Sequence, residues 1–224
     1  MLFVNIFKIK RIKGIMTKLY TAFGMVLISV FLHGCSSSTV IQKPRTIETK
    51  NIKTSYKNDA CKMLQENPDW LDATYASYKK WGTPISVQLS FVYHESSFNY
   101  NARPIKKKKL YEFGTEYASS ALGFSQALNG TWKDYTDDHK FQKKSRTNFG
   151  HSVDFIGWYN SKSFKMGIKP DDAYNLYLAY HEGRGGWQRK YYAKKTWLKN
   201  YAKSVKSKSL VYSKQINNCN LRFK

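Results

Sequence analysis

The chain has 224 residues, of which 42% are hydrophobic and 16% aromatic. That aromatic content excludes an intrinsically disordered chain, and the length suffices for one folded domain with a leader. Lys and Arg outnumber Asp and Glu by 38 to 15, a net charge of +23, which favours polyanions (nucleic acid, anionic lipid, acidic cell-wall polymer) without choosing among them; a run such as Lys106–Lys109 reads equally well as a solvated face.

Residues 1–34 have the organisation of a targeting segment. Lys8, Lys10, Arg11, Lys13 and Lys18 occur with no acid, and an apolar stretch follows from Ala22 to Leu32. It is too short for a comfortable membrane span and suits the apolar part of a signal peptide. Met16 is an alternative start that leaves a signal of ordinary length. The stretch ends in Leu32-His33-Gly34-Cys35, followed by Ser36-Ser37-Ser38. This resembles the lipobox of bacterial lipoproteins, with His33 where a small or apolar residue is usual. The resemblance implies cleavage before Cys35 and lipidation of that cysteine; a signal anchor with an incidental cysteine is the alternative. Ser36 then implies, by resemblance to lipoprotein sorting, anchoring in the outer membrane facing the periplasm. Loss of residues 1–34 takes away five positive charges and leaves Cys61 and Cys219. An even pair in an exported chain suggests a disulfide. Chain entropy gives such a long loop about 4–5 kcal/mol as an upper figure. Two buried free thiols are the alternative.

Residues 35–57 are polar, rich in Ser, Thr and Lys, and lack helical or strand period, as in a flexible tether. The folded domain is expected over 58–224. Pro68-Asp69 opens a helix that Gly82 closes. Thr83 is an N-cap candidate with Pro84 at the first helical position. Ile85, Leu89 and Val92 then share one face, and the helix runs out at Glu95-Ser96-Ser97. Residues 101–122 have no clear period and read as a small irregular lobe with room for a short hairpin. Phe149, Val153 and Ile156 mark another helix, with Gly167 beyond its end. Pro170 starts the next, with Asp171 and Asp172 in its first turn, Ala173, Leu176, Tyr177 and Tyr180 on its apolar face, and Gly183 as its cap. Trp197, Leu198, Tyr201 and Val205 belong to a final helix. The fold class is mainly α.

Glu95 stands out chemically. It sits at the end of an apolar helix, three residues past Val92 and four past Phe91. A partly desolvated carboxyl has a raised pKa, which a general acid at neutral pH requires. A glutamate at a helix end is more often simply solvated, so its surroundings decide. His94-Glu95-Ser96-Ser97-Phe98 is followed by Ala121-Leu122-Gly123-Phe124-Ser125-Gln126-Ala127, by Asn129-Gly130-Thr131-Trp132, and by Leu178-Ala179-Tyr180-His181-Glu182-Gly183. In this order, over roughly residues 84–190, the motifs resemble those of the transglycosylase SLT family of lysozyme-like lytic transglycosylases: Glu-Ser and an aromatic, Gly-Leu-Met-Gln before Pro-Gly-Thr, and Ala-Tyr-Asn-x-Gly. Phe124-Ser125 replaces the Leu-Met pair and His181 replaces the Asn. The resemblance points to the branch of this family found in bacterial lipoproteins.

The resemblance implies a lysozyme-like fold and cleavage of the bond between MurNAc and GlcNAc in peptidoglycan. Glu95 would be the single general acid/base, and the product would be 1,6-anhydro-MurNAc. It implies substrate-side roles for Ser96, Gln126 and Tyr180, with Tyr180 holding Glu95 or the nearby sugar. Each has a structural alternative: a loop-fixing Ser96, a packed Gln126, a Tyr180 whose hydroxyl is satisfied locally. Ordinary glycosidases need two carboxylates, so Asp134, Asp137, Asp138 and Glu182 are candidate partners whose presence opposite Glu95 would favour a muramidase. A catalytically inactive peptidoglycan-binding lipoprotein is a third reading. The partners expected are peptidoglycan strands and the membrane, not nucleic acid, and no cofactor is implied. The five histidines show no metal-ligand spacing, and Gly183-Arg184-Gly185-Gly186 follows a helix, unlike a phosphate loop.

Overall fold

The computed structural model describes residues 56–106, 116–139 and 143–222. The leader 1–34, Cys35 and nearly all of the tether 35–57 lie outside the described residues. The described residues form eight helices: α1 (Ala60–Glu66), α2 (Pro68–Trp81), α3 (Ile85–Ser96), α4 (Asn129–Asp138), α5 (Phe149–Phe164), α6 (Ala173–Glu182), α7 (Arg184–Gln188) and α8 (Thr196–Asn217).

The core is built around α3. Every residue from Ile85 to Val92 is buried, so this helix lacks a solvent face and is enclosed on all sides. Its neighbours include α2, α5 and α8. Its one long polar side chain in that stretch, Gln88, donates to the carbonyls of Thr74 (3.2 Å) and Thr83 (2.8 Å). Those bonds offset much of the cost of placing an amide in the core. The helix starts one residue later than the Thr83-Pro84 pattern predicts. Pro84 is itself the cap residue, with ψ at 144°, and Thr83 is buried and makes no cap hydrogen bond.

α2 begins at Pro68 and ends at Gly82, whose φ of 82° lets its N–H reach the Tyr78 carbonyl. It crosses α5 closely. A Cβ at Gly157 would lie 2.6 Å from both Ser77 Oγ and Trp81 Cδ1, so glycine sets the approach. At the same crossing Asp154 accepts from Trp81 Nε1 (2.7 Å) and Tyr135 Oη (2.6 Å), joining α2, α4 and α5. Burial pushes the Asp154 carboxyl up, but these two donors and Lys80 outweigh it and hold the pKa low. In α6, Asp172 is the N-cap and accepts from Asn175 N (3.1 Å), so the helix starts after the Asp pair and not at Pro170.

Residues 99–106 and 116–127 form the irregular lobe. It carries two isolated antiparallel bridges, Ile105 with Tyr117 and Leu122 with Ala127, and residues 107–115 between the first pair lie outside the described residues. The lobe is pinned to the helices by Phe98 and Phe124, both fully buried. Their rings meet Trp70 at 5.9 and 5.6 Å, and Trp70 stacks on Phe149 at 3.8 Å.

Near the other end of the chain, Cys61 of α1 and Cys219 after α8 are joined by a disulfide. The same face carries hydrogen bonds from Gln215 Nε2 to the Asn58 carbonyl (2.9 Å), from Ala60 N to Gln215 Oε1 (2.9 Å), and from Tyr212 to the Lys57 carbonyl. The start of the folded domain is thereby fastened along the C-terminal half of α8.

Candidate active site

Glu95 occupies the last turn of α3. The chain leaves that turn through two successive left-handed residues, Ser97 (φ 49°) and Phe98 (φ 60°), an uncommon conformation outside glycine. The reversal lets Phe98 plug the core one step after the carboxyl. Ser96 holds the junction: its Oγ lies 3.0 Å from the carbonyls of both Val92 and Phe124. It ties the end of α3 to the Gly123–Gln126 turn and is itself buried.

That turn is dictated by its first residue. Gly123 has φ 77°, and a Cβ there would lie 2.0 Å from the Arg146 carbonyl oxygen. Gln126, also left-handed at φ 48°, turns its side chain back, and Nε2 donates to the carbonyls of Ala102 and Gly123, both at 2.8 Å. The amide hydrogens of Gln126 are thus spent on the loop, and Oε1 is the atom left to accept from a ligand. The next carbonyl in the turn, that of Ser125, accepts from Tyr180 Oη at 2.6 Å. The sequence motifs around Glu95, Gly123 and Tyr180 therefore meet on two consecutive carbonyls, Phe124 and Ser125.

Three tyrosines from two helices act on Glu95. The Tyr177 hydroxyl hydrogen-bonds the carboxyl, and Tyr180 and Tyr201 are close enough for the carboxylate charge to raise their own pKa values. Phe91, one turn before Glu95, packs edge-on against both Tyr177 (5.4 Å) and Tyr180 (5.3 Å). Burial among these rings pushes the Glu95 carboxyl up to about 7, although the Tyr177 hydrogen bond favours the charged form. Desolvation therefore wins over hydrogen bonding, and the group holds and releases a proton near neutral pH. Tyr177 and Tyr201 were missed in the sequence as site residues. Tyr177 sits three residues before Tyr180 on the apolar face of α6, where it reads as core; Tyr201 is brought in only by the packing of α8, with its hydroxyl on the His94 carbonyl at 2.7 Å.

A cavity of about 280 Å³ opens beside this turn, lined among others by Gln126, Thr131, Tyr159, Tyr180, His181 and Glu182. Glu182 does not behave as a second acid. Both of its oxygens lie 2.8 Å from Lys195 Nζ, and His181 Nδ1 is 3.1 Å away. Burial pushes its pKa up, but Lys195 and His181 outweigh this and lower it, leaving an ion-paired carboxylate. Of the other candidate acids, Asp138 accepts from Trp158 Nε1 (2.8 Å) and Lys162 Nζ (2.7 Å), Asp137 pairs with Lys133, and Asp134 is exposed on α4. None of them is among the influences on Glu95.

The sequence profile of the transglycosylase SLT domain family matches residues 23–219 of this chain. The chain belongs to the transglycosylase SLT family. No curated protein matches it significantly. Among solved structures, an inactive mutant of the lytic transglycosylase Slt from Pseudomonas aeruginosa is similar at 16% identity with a TM-score of 0.47, over 66% of this chain and 24% of that one. The match thus takes in about a quarter of that protein's length.

The departures of this SLT chain from the family motifs fall at defined places. Phe124, where the motif has Leu, is a core residue. Its bulk is absorbed by Trp70 and Phe149, the rings at 5.6 and 5.4 Å. Ser125, where the motif has Met, is buried, and its hydroxyl has no hydrogen-bond partner among the described residues while its carbonyl holds Tyr180. His181, where the motif has Asn, packs against Trp197 at 5.2 Å and braces Glu182.

Proposed function

We propose that this chain is an exported, lipid-anchored enzyme that cuts peptidoglycan glycan strands between MurNAc and GlcNAc, with Glu95 as its single acid/base. The observation that carries the reading is the environment of Glu95: a half-buried carboxyl held near neutral pKa by desolvation, with no second acid acting on it. Family membership supports the reaction class.

In the proposed reaction, protonated Glu95 gives its proton to the glycosidic oxygen as the bond from MurNAc C1 breaks, and the GlcNAc side leaves as an alcohol. The resulting carboxylate, charge-stabilised by Tyr177, takes the proton of the MurNAc C6 hydroxyl while that oxygen closes on C1. Glu95 ends protonated, no water is consumed, and the product is 1,6-anhydro-MurNAc. A two-carboxylate hydrolysis would require a second, ionised carboxylate placed to activate water or attack C1; Glu182 instead has both oxygens on Lys195 and is not among the groups acting on Glu95. Gln126 Oε1 and the cavity beside Tyr180 are proposed to receive sugar hydroxyl or acetamido groups, and Ser96 and Tyr180 to keep the turn that shapes this wall.

Cys35 is proposed as the acylated N-terminus of the mature chain, in the outer membrane facing the periplasm. The family match begins at residue 23, so it takes in nearly all of the apolar stretch Ala22–Leu32 together with Cys35. The test of the reaction is digestion of purified sacculi followed by mass spectrometry of the new glycan ends: 1,6-anhydro-MurNAc is expected, and reducing MurNAc ends would replace lytic cleavage with hydrolysis.

A further inference from the structure

We propose that the outer face of α8 is a docking surface for an anionic lipid bilayer. The 22-residue helix contains five lysines (Lys199, Lys203, Lys206, Lys208 and Lys214) and no acid. At helical spacing, Lys203, Lys206, Leu210 and Lys214 fall on one stripe, to one side of the buried residues Leu198, Ala202, Val205, Ser209 and Tyr212. The lysines of this stripe are exposed and pair with no acid among the described residues. Two aliphatic side chains stand in water here, Leu210 on the stripe at 61% exposure and Val211, about 100° around the helix from it, at 48%.

Cationic side chains alone would suit any polyanion. Exposed aliphatics flanked by lysines suit a bilayer interface, where the apolar tips enter the boundary of headgroups and chains while ammonium groups remain at the anionic phosphates. A second feature of the same side agrees. A cavity of about 280 Å³ whose wall includes Tyr75, Tyr78, Pro84, Ile85 and Ile216 adjoins the C-terminal turns of α8, on the flank beside the stripe.

The incoming chain reaches the fold along the same half of this helix. Residues 57–61 are bonded to α8 at Lys208, Tyr212 and Gln215 and through Cys219. These positions interleave along the axis with Leu210, Val211 and Lys214. The folded domain therefore begins along the half of α8 that carries Leu210 and Val211. The Glu95 end of the fold meets α8 near Tyr201, more than two helical turns away from Leu210. A rise of 1.5 Å per residue puts about 14 Å along the axis between them. The inference rests on charge, exposure and chain entry, and stands apart from the proposed chemistry.

The test is vesicle flotation of the full-length chain carrying Cys35→Ser, which removes acylation. Vesicles of phosphatidylcholine alone are compared with vesicles containing 30% phosphatidylglycerol. The leader contributes equally to every variant, so differences between variants read the domain surface. Reversing Lys203, Lys206 and Lys214 to Glu together is expected to weaken binding to anionic vesicles roughly tenfold or more, with the difference shrinking in high salt. Reversing Lys165, Lys169 and Lys194, an equal charge change elsewhere, is expected to have a much smaller effect. Leu210→Asp with Val211→Asp is expected to weaken vesicle binding and leave binding to a soluble polyanion, polyglutamate, unchanged. Equal binding by the α8 charge variant and its control overturns the proposal. So does vesicle binding that ignores Leu210 and Val211, since that would describe a polyanion site. Glycan cleavage is measured separately on sacculi, and a failure there leaves these readouts intact.

Discussion

The Tyr180 hydroxyl donates to the Ser125 carbonyl at 2.6 Å, while the tyrosine one turn earlier, Tyr177, is the one whose hydroxyl meets Glu95. Two aromatic side chains on the same face of α6 thus divide two tasks: one fixes the wall of the groove and the other tunes the acid. The division predicts different phenotypes. Tyr177→Phe removes a bond that favours the Glu95 carboxylate, so the pKa of Glu95 should rise above about 7 and the alkaline limb of the pH–rate profile should move upward with it. Tyr180→Phe should leave that limb in place and lower thermal stability by about 1 kcal/mol, the worth of one hydrogen bond to a carbonyl then left unpaired. A profile shifted by Tyr180→Phe and unaltered by Tyr177→Phe would reverse the assignment.

Glu95→Gln keeps the size of the side chain and cannot exchange the proton. It should fold, bind glycan and lose nearly all cleavage, with the loss in kcat. Glu182→Gln should retain most activity, because its carboxylate is already neutralised by Lys195; release of labelled sugar from sacculi measures both. If Glu182→Gln abolished cleavage as completely as Glu95→Gln, the single-acid mechanism would be lost.

Burial of Glu95 also has a stability signature with a definite sign. Its pKa in the folded chain is about 7, above the ordinary value of 4.5. Folding therefore favours the protonated form, and this contribution is complete below about pH 4.5. It is lost progressively as pH rises through about 7. Glutamine cannot ionise. The Tm of Glu95→Gln relative to the wild type should therefore increase between pH 4.5 and pH 8, and differential scanning calorimetry at the two ends reads it. A Tm difference independent of pH would mean that the carboxyl is solvated.

Much of this arrangement was legible in the sequence, and the reasons are local. Gly82 and Gly183 end helices, Pro68 opens one, and the apolar run Ile85–Val92 announces a buried helix. Glu95 at its end was marked by the following Ser96 and Phe98. Capping detail was less legible, because Thr83 and Asp172 both have cap chemistry and only Asp172 uses it; Thr83 is drawn into the core beside Gln88. The helices α1 and α7, of seven and five residues, have too few turns to develop a period, and α4 buries only Tyr135 of its ten residues, so it has no apolar face to read. The tyrosine cage was hidden for a different reason. Whether Tyr177, Tyr180 or Tyr201 reaches the carboxyl depends on how α6 and α8 pack on α3, a long-range outcome that spacing within one helix does not encode.

The leader supplies a prediction that concerns location. If Cys35 is acylated, the mature chain begins at that residue with lipid mass, and Cys35→Ser should release the domain from the outer-membrane fraction or leave it as an uncleaved precursor. Membrane fractionation with mass spectrometry of the N-terminal peptide measures both. Wild-type protein that keeps residues 1–34 and carries no lipid would show the segment to be a signal anchor.

Gly123 offers the sharpest steric test. Its φ of 77° strains any residue with a Cβ, and the Cβ of alanine would stand 2.0 Å from the Arg146 carbonyl oxygen and 3.1 Å from that of Tyr100. Both obstacles are backbone, so neither can rotate away. Arg146 is itself committed to the lobe, its Nη1 donating to the carbonyls of Ser120 (2.7 Å) and Ala127 (2.8 Å). Relief must therefore come from moving the turn, which carries the Phe124 and Ser125 carbonyls that hold Ser96 and Tyr180. Gly123→Ala should destabilise the fold by about 2–4 kcal/mol, beyond the roughly 1 kcal/mol of a left-handed alanine alone. Where the variant remains folded, cleavage should fall even at temperatures well below its Tm, because the turn that holds Ser96 and Tyr180 is displaced while the acid itself is unchanged. Denaturant titration gives the first quantity, and the kcat of the folded fraction gives the second. An alanine variant with wild-type stability would mean that the turn has another conformation than the one described.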